Sequence, residues 1–304
     1  MNIDVSVIIV NYNTNELLAE ALDSLFEHTT GLSLQVIVVD NHSLISPREA
    51  LAASYSSSIE WVDLPQNVGF ARANNAAFDL ALGRHLFLLN PDTILMNNAV
   101  KILSDYLDSN PQVGAVGGNL FTREGLPTAS HKFFGENLYF ELDSLFFEPV
   151  GRLIYGRNRI FNHTAHPLRV GYIIGADLMI PRSVIDSVGG LDPDFFMYAE
   201  ESELQYRIKA HGFSIVNCPA ANIIHLEGGS FDFSEHRERM MLAGKVLYYT
   251  KCFGRPSAKA MIALRKAMMI SRIAVLWLLG SSRKLSRHKM LYRILREYSF
   301  TDVA

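Results

Sequence analysis

Two short runs rich in β-branched residues, Val5 to Val10 and Val36 to Val39, constrain this chain more than any other feature. Apolar runs of that length, each closed by polar residues, are the pattern of strands buried on both faces of a parallel sheet. Between them Leu17, Leu18, Ala21, Leu22, Leu25 and Phe26 recur at helical spacing over Asn15 to His28, so the first forty residues read as a βαβ crossover. A third run, Leu86 to Leu89, follows a predicted helix over Phe70 to Leu82 and ends at Asn90-Pro91-Asp92. Polar residues at the C-terminal ends of parallel strands are where open α/β sheets bind ligands. No GxGxxG follows the first strand, which argues against a dinucleotide site.

At 304 residues the chain has room for one large α/β domain and a smaller appendage. Cys218 and Cys252 are too few and too scattered for a disulfide framework or a thiolate metal site, which fits a reducing compartment. Asp4 sits where a signal peptide would carry positive charge, so the first run is read as a strand and not an export signal. Residues 123 to 169 lack a clean period and read as long loops and short helices. Residues 170 to 180 read as one buried strand, 189 to 196 as a turn-rich loop, and Glu200 to His211 as a helix.

The strings VSVIIVNYN, VIVVDNHS, NVGFARANNAAF, LLNPDTIL, GADLMIPR and GGLDPDFFMYAEESELQYRIKAHGF followed by HLEGGS occur in that order over about residues 4 to 231. Together they resemble glycosyltransferase family 2, and within it the rhamnosyltransferase-type enzymes of bacterial surface polysaccharide assembly. The resemblance implies a GT-A fold, a mixed and mainly parallel sheet with flanking helices. It also implies inversion at the transferred sugar, a nucleoside-diphosphate sugar donor such as dTDP-rhamnose or a UDP-sugar, and a divalent cation, Mg²⁺ or Mn²⁺. The expected division is a catalytic domain over 1–232, with a donor half to about 110 and an acceptor half beyond it, then a basic helical region over 233–304.

Each position has a chemical reason beside the resemblance. A donor diphosphate gains charge as the sugar leaves, so the site needs a cation held by few protein ligands with positions open to phosphate oxygens. Asp92 at a strand end suits that role; the family motif has two acids flanking one residue, and here Asn90 replaces the first. Taken alone, Asn-Pro-Asp is also an ordinary strand-ending turn. His225, after Ile223 and Ile224, matches the family's His and can complete the cation's shell or meet a phosphate oxygen; a lone His after a strand is more often a packed or surface residue. Asp40 ends the second strand, where a carboxylate can accept from a base N–H or a ribose hydroxyl, or can simply cap the next loop. Asn11 and Tyr12 resemble the positions flanking base and ribose. Asn67, Gly69, Arg72 and Asn75 lie in a turn entering a helix whose first amides can face phosphate, although Arg72 equally suits a solvated helix face.

Gly175, Ala176 and Asp177 match the family's loop at the sugar and acceptor, with Asp177 an unusual choice there. Transfer needs a base for the acceptor's proton. In the family this is an acid in an E-D-x-D/E-L stretch, and Glu200, Glu201, Ser202, Glu203 and Leu204 match it, with Glu201 on the catalytic Asp. Three acids in four residues repel, and a neighbour can raise one pKa toward the working range. The plain alternative is an acidic helix N-terminus stabilised by the helix dipole.

The net charge of −3 argues against general nucleic-acid binding but hides an asymmetry. Arg237 to Arg296 holds fifteen Lys and Arg against one acid, Glu238. No apolar run there approaches the roughly 20 residues of a spanning helix. On a helical wheel Lys259, Arg265, Lys266, Arg272, Arg283, Lys284 and Arg287 fall within an arc of roughly 140°. That face fits peripheral contact with an anionic membrane on the cytoplasmic side of the inner membrane; the alternatives are packing on the catalytic domain or a homodimer through these helices, with Gly280-Ser281-Ser282 as a break.

The combined expectation is a cytoplasmic, non-processive transferase placing a sugar on a hydroxyl of a glycan or lipid-linked acceptor. The Gln-x-x-Arg-Trp motif and long apolar spans of processive synthases are lacking. A different class remains open, a non-catalytic sugar-nucleotide or glycan-binding protein on the same fold, because of the Asn at 90 and the Glu at 201. A nucleotidyltransferase would need a Gly-rich basic triphosphate loop near the N-terminus, and none occurs.

Overall fold

Along the first strand, Ile8 and Val10 join one buried cluster while Val7 and Ile9 join another on the opposite face of the sheet. Successive side chains of a strand point to opposite faces. Both faces are covered, which is why the run is apolar without alternation. The computed structural model describes residues 3–55, 58–133, 137–145, 149–226, 234–280 and 282–300. In chain order the elements are β1 (Val5–Asn11), α1 (Asn15–His28), β2 (Leu34–Asp40), α2 (Pro47–Tyr55), β3 (Glu60–Asp63), α3 (Phe70–Phe78), β4 (His85–Leu89), β5 (Thr93–Leu95) and α4 (Ala99–Ser109). There follow β6 (Val113–Phe121), β7 (His131–Lys132), α5 (Leu138–Leu145), α6 (Pro149–Tyr155), β8 (Leu168–Val170), β9 (Tyr172–Ile173), β10 (Asp177–Pro181), α7 (Arg182–Val188) and α8 (Glu200–Ala210). The last strand is β11 (Ser214–His225), and three helices close the chain, α9 (Glu235–Phe253), α10 (Arg255–Leu278) and α11 (Ser282–Glu297).

The main sheet runs β3-β2-β1-β4-β10-β6-β11-β5, with β8 also paired to β11. The pairs from β3 to β4 are parallel, as is β6 with β11, while β10 runs antiparallel to β4 and β6, and β5 antiparallel to β11. This is the expected mixed, mainly parallel sheet with flanking helices.

Two expected elements differ. The helix beginning at Phe70 stops at Phe78 and not at Leu82, because Leu82 N and Gly83 N donate to Ser6 Oγ at 3.1 and 2.8 Å and tie the chain to β1. Residues 170 to 180 are not one strand. β9 pairs with β7 in a separate two-stranded sheet, and Ala176 N–H closes a tight turn on Ile174 C=O at 2.8 Å before β10 begins.

The three C-terminal helices pack on the sheet domain. Leu242, Val246, Tyr249, Met261 and Leu295 belong to the same buried cluster as Ile8 and Leu204. A Cβ added at Gly244 of α9 would lie 2.2 Å from the carbonyl oxygen of Tyr198, so helix and loop backbones touch. Lys251 spans Asp192 and Asp194 at 2.6 and 2.5 Å.

The cationic wheel face is corrected in part. Arg265 turns inward with Lys245 onto Glu141 of α5, a carboxylate 2% exposed, at 3.0 and 2.8 Å. Burying a carboxylate is costly unless charged partners surround it, and two cations supply that here. The side chain of Arg283 lies outside the described residues, as does the expected domain boundary near 232. α10 ends at Leu278, before Gly280 with its φ of +67°, in agreement with the expected break. Among the described residues no helix is long and apolar enough to cross a membrane.

The contact at Gly244 yields a prediction. Gly244→Ala places a methyl against backbone that cannot rotate away, so it should destabilise the protein by about 1–3 kcal/mol, read as a lowered urea midpoint with an unchanged m-value.

Candidate active site

One edge of the sheet collects most of the residues singled out above. Asn11 and Asp40 stand in register at the C-terminal ends of β1 and β2. Leu89, at the same end of β4, pairs with Asp177 at the start of the antiparallel β10. The loops leaving β1 and β2 are laced together by Ser43. Its hydroxyl donates to Asp40 Oδ1 at 2.5 Å and accepts from Asn13 N and Asn11 Nδ2 at 2.9 and 3.2 Å. Asn13 and His42 take left-handed backbone to permit it, with φ of 58° and 70°. Asp40 therefore caps its own loop, the plainer of its two readings. Tyr12 beside it is exposed.

The turn at Asn67 to Asn75 is largely committed to holding loops. Asn67 Oδ1 accepts from Gly69 N and Asn41 Nδ2, both at 3.0 Å. Gly69, with φ of +85°, packs where a Cβ would lie 2.4 Å from the Phe196 carbonyl oxygen, and Phe70 N–H donates to that oxygen at 2.7 Å. The first amide of α3 thus meets a protein carbonyl, not open space. Asn75 grips the backbone of Leu191 on both sides, donating to its C=O at 2.6 Å and accepting its N–H at 2.9 Å. Arg72 is exposed on α3.

Asp92 and His225 are brought together from the ends of two paired elements. His225 is in register with Thr93, and His225 Nε2 lies 3.4 Å from Asp92 Oδ1, with side chains 10% and 13% exposed. Two adjacent ligands on an octahedral cation sit about 3 Å apart, so this imidazole and carboxylate fit such an ion with small adjustment. Among the described residues there is no group of three or more His, Cys, Asp or Glu that could hold a metal ion by itself. The expected Glu227 to Ser230 turn lies outside the described residues.

Behind this pair Asp177 is fully buried. One carboxyl oxygen accepts from Gly118 N at 2.5 Å; the other has no hydrogen-bond partner among the described residues. Burial pushes its pKa up to about 7, opposed by the Gly118 N–H and the nearby His225. Asp177, expected at the sugar, lies beneath the site surface.

The acidic stretch reaches this edge through Gly175 and Ala176. Asn90 N–H donates to Ala176 C=O at 2.9 Å, and a Cβ at Gly175 would lie 2.9 Å from Glu201 Cγ. Only glycine lets the acid come this close. Tyr198 and Ala199 precede α8 in left-handed conformation, with φ of 71° and 72°. Glu203 pairs with Arg207 at 2.7 Å, and Arg207 donates to the carbonyls of Val188 and Gly190 at 2.5 and 2.7 Å, fixing the loop before the acids. Glu200 is buried, and burial together with Glu201 pushes its pKa well above the ordinary value. The acid raised by its neighbour is thus Glu200. Glu201 instead lies on the wall of a cavity of about 380 Å³ shared with α9, α10 and α11. Asn13, Ser43, Gly244 and Lys251 were not singled out by sequence reasoning. The first two lie inside the NYN and DNHS strings, but Gly244 and Lys251 carry no local signal.

The mixed, mainly parallel sheet with flanking helices is that of the GT-A glycosyltransferases. The profile of glycosyl transferase family 2 matches residues 6–167, more than half of the chain, and the protein belongs to that family. It is 26% identical over 228 residues to the low-salt glycan biosynthesis hexosyltransferase Agl10 of Haloferax volcanii, covering 73% of this chain and 67% of that one. It is 24% identical over 235 residues to the N-acetylglucosaminyl-diphospho-decaprenol L-rhamnosyltransferase of Mycobacterium tuberculosis, covering 72% and 75%. It spans only 17% and 27% of two longer relatives. Among solved structures it resembles the mannosyltransferase PcManGT of Pyrobaculum calidifontis, in complex with GDP-Man and Mn²⁺, with a TM-score of 0.65 at 17% identity, covering 100% of this chain and 89% of that one. That likeness shows the GT-A fold.

The buried Asp177 gives a pH prediction. The unfolded carboxyl releases its proton near 3.8 and the folded one near 7. The native state therefore holds the extra proton between them, and stability falls as pH rises through that window, by at most about 1.4 kcal/mol per unit. Asp177→Asn should flatten the decline between pH 4 and 7 and be more stable than the parent at pH 7.5, measured by urea unfolding across pH.

Proposed function

We propose that the protein is an inverting, metal-dependent, non-processive transferase of glycan biosynthesis, moving a sugar from a nucleoside-diphosphate sugar to an acceptor hydroxyl. The observation that carries this is the Asp92–His225 pair at 3.4 Å, joined through Asn90, Ala176 and Gly175 to Glu201 at one sheet edge. Asp92 and His225 would hold Mg²⁺ or Mn²⁺ at the donor diphosphate, with Asn90 next to them in the same turn. The cation, when bound, offsets charge that grows on the diphosphate as the sugar leaves. Asn11, Tyr12 and Asp40 receive the nucleotide, where a base N–H or ribose hydroxyl adds to the bonds Asp40 already accepts from Ser43. Asn67, Gly69 and Asn75 shape the loop over the donor, and Arg72 is the exposed cation at its rim.

Glu201 takes the proton of the acceptor O–H as that oxygen bonds to the anomeric carbon. The bond from that carbon to the diphosphate oxygen breaks on the opposite face, so the sugar inverts and the nucleoside diphosphate departs. Burial and the neighbouring Glu201 push the Glu200 pKa well above its ordinary value, so in this reading Glu201 is the base. Asp177 backs His225. The relatives' names, one a rhamnosyltransferase on a decaprenyl-linked sugar and one a glycan hexosyltransferase, favour dTDP-rhamnose or a UDP-sugar as donor and a glycan or lipid-linked acceptor. Exposed Ile270, Val275, Trp277, Leu278 and Leu279 near the end of α10, beside its basic residues, support peripheral contact with an anionic membrane on the cytoplasmic side.

Release of nucleoside diphosphate from dTDP-rhamnose and UDP-sugars, with Mn²⁺ or with chelator, tests this. Asp92→Ala should abolish metal-dependent turnover. Glu201→Gln should keep donor binding and lower transfer by about 10²–10⁴-fold. Tight donor binding by the parent chain without turnover would instead establish a sugar-nucleotide-binding protein on this fold.

A further inference from the structure

Gln205 lies inside the protein with none of its surface exposed, on the helix that carries Glu201. Its task is set by β9, which has one paired strand among the described residues, β7. Ile174 N–H donates to Ser130 C=O on that side at 3.0 Å, so the N–H and C=O of Ile173, which stands opposite His131, face the other way. There the Gln205 amide stands in place of a strand. Its Oε1 accepts from Ile173 N at 2.8 Å, and its Nε2 donates to the C=O of Ile173 at 3.0 Å and to that of Glu201 at 3.1 Å. We infer that Gln205 is a positioning residue for the transfer reaction: it locks the turn at 174 to 176 to the first turn of α8 and thereby sets where the Glu201 carboxylate stands. The inference deepens the transferase reading and rests on Glu201 being the base.

A primary amide offers an acceptor oxygen and two N–H donors, and all three have backbone partners here. Asn carries the same groups on a stem one methylene shorter, and Met keeps the length without a donor. The locked segment leads directly to the acid. Two residues after Ile173, a Cβ at Gly175 would lie 2.9 Å from Glu201 Cγ, and the Ala176 C=O that follows accepts Asn90 N–H at 2.9 Å. A shift of Ile173 against α8 is thus passed through the turn to the contact between Gly175 and Glu201. Tyr172, Ile174, Glu201 and Ser202 line the cavity beside the acid while Gln205 lies behind them, so it acts through these neighbours and not by touching a ligand. One turn further along α8, Lys209 Nζ donates to Gly171 C=O at 2.8 Å. That second tie holds the helix to the strand when the amide is removed, so loss of the amide displaces the turn without undocking α8.

The test measures Mn²⁺-dependent release of nucleoside diphosphate from dTDP-rhamnose and UDP-sugars by the full chain, with water as the acceptor O–H, and counts the folded fraction of each variant by the stoichiometry of UDP or dTDP binding. In Gln205→Met, kcat per folded molecule should fall at least about tenfold while the donor KM stays within about twofold, because a displaced base slows the chemical step and leaves donor binding intact. In the Glu201→Gln background the same substitution should cost nothing further. A merely structural role would lower the urea midpoint and leave kcat per folded molecule unchanged. Gln205→Glu is the second variant and decides the matter where Gln205→Met does not fold. It keeps the length and the acceptor for Ile173 N–H, and it should lose at least about threefold in kcat, again only where Glu201 is present. If the folded variant turns over at the parent kcat, or loses kcat equally with and without Glu201, the positioning role is overturned and the transferase reading stands. If the parent turns over no donor, or Glu201→Gln turns over as fast as the parent, the reading of Glu201 as the base of a transferase fails and the positioning role falls with it.

Discussion

Glu200 and Glu201 reach the sheet edge because the backbone turns through two consecutive left-handed residues, Tyr198 and Ala199, a conformation that costs non-glycine residues roughly 1–3 kcal/mol each. Such strain persists only where the surroundings over-determine it, and here they act from three sides. Arg207, anchored by Glu203, binds the carbonyls at the start of the loop. Asn75 and Gly69 take its middle. Helix α9 closes it from outside through Gly244 against Tyr198 and Lys251 across Asp192 and Asp194. The acids are therefore placed by groups far away in the chain, and the basic C-terminal helices are part of that placement.

Behind the surface, carboxyls without water set the electrostatics. Glu200 and Asp177 are both buried, and both are pushed toward the neutral form by loss of solvent. Glu201 lines the neighbouring cavity, and the Asp92–His225 pair stands at the strand ends. Glu141 shows the opposite solution. It is equally buried but enclosed by Lys245 and Arg265, which hold its pKa below the ordinary value against the pull of burial. The same residue type is thus held toward the charged form in the helical region and pushed toward the neutral form beside the site, according to whether cations were buried with it.

Much of the frame was legible because it is local. The βαβ start, the helix from Glu200 and the break near Gly280 follow from periodicity, and the polar strand ends mark the edge where the candidate residues gather. The Asp92 and His225 pairing rested on motif resemblance, since 133 residues separate them and no spacing rule links them. What could not be read is long-range. The run at 170 to 180 is apolar enough for one strand, yet Gly175 must leave the sheet to meet Glu201. Asn75 looks like a polar helix residue and is instead a backbone clamp on Leu191. Arg265 belongs to a cationic stripe by the wheel but turns to Glu141, because a buried carboxylate on a distant helix outweighs amphipathic spacing.

By itself the sequence determined which segments form strands and helices, that the sheet is mainly parallel, and that polar residues end its strands, since all of this follows from side-chain period and backbone preference over a few residues. Only the tertiary structure decided which acids lose solvent and which are buried with cations, and that the C-terminal helices build a wall of the cavity beside Glu201. Those outcomes depend on what each group loses in solvent and gains in neighbours when distant segments meet, and that balance exists only once the chain is folded.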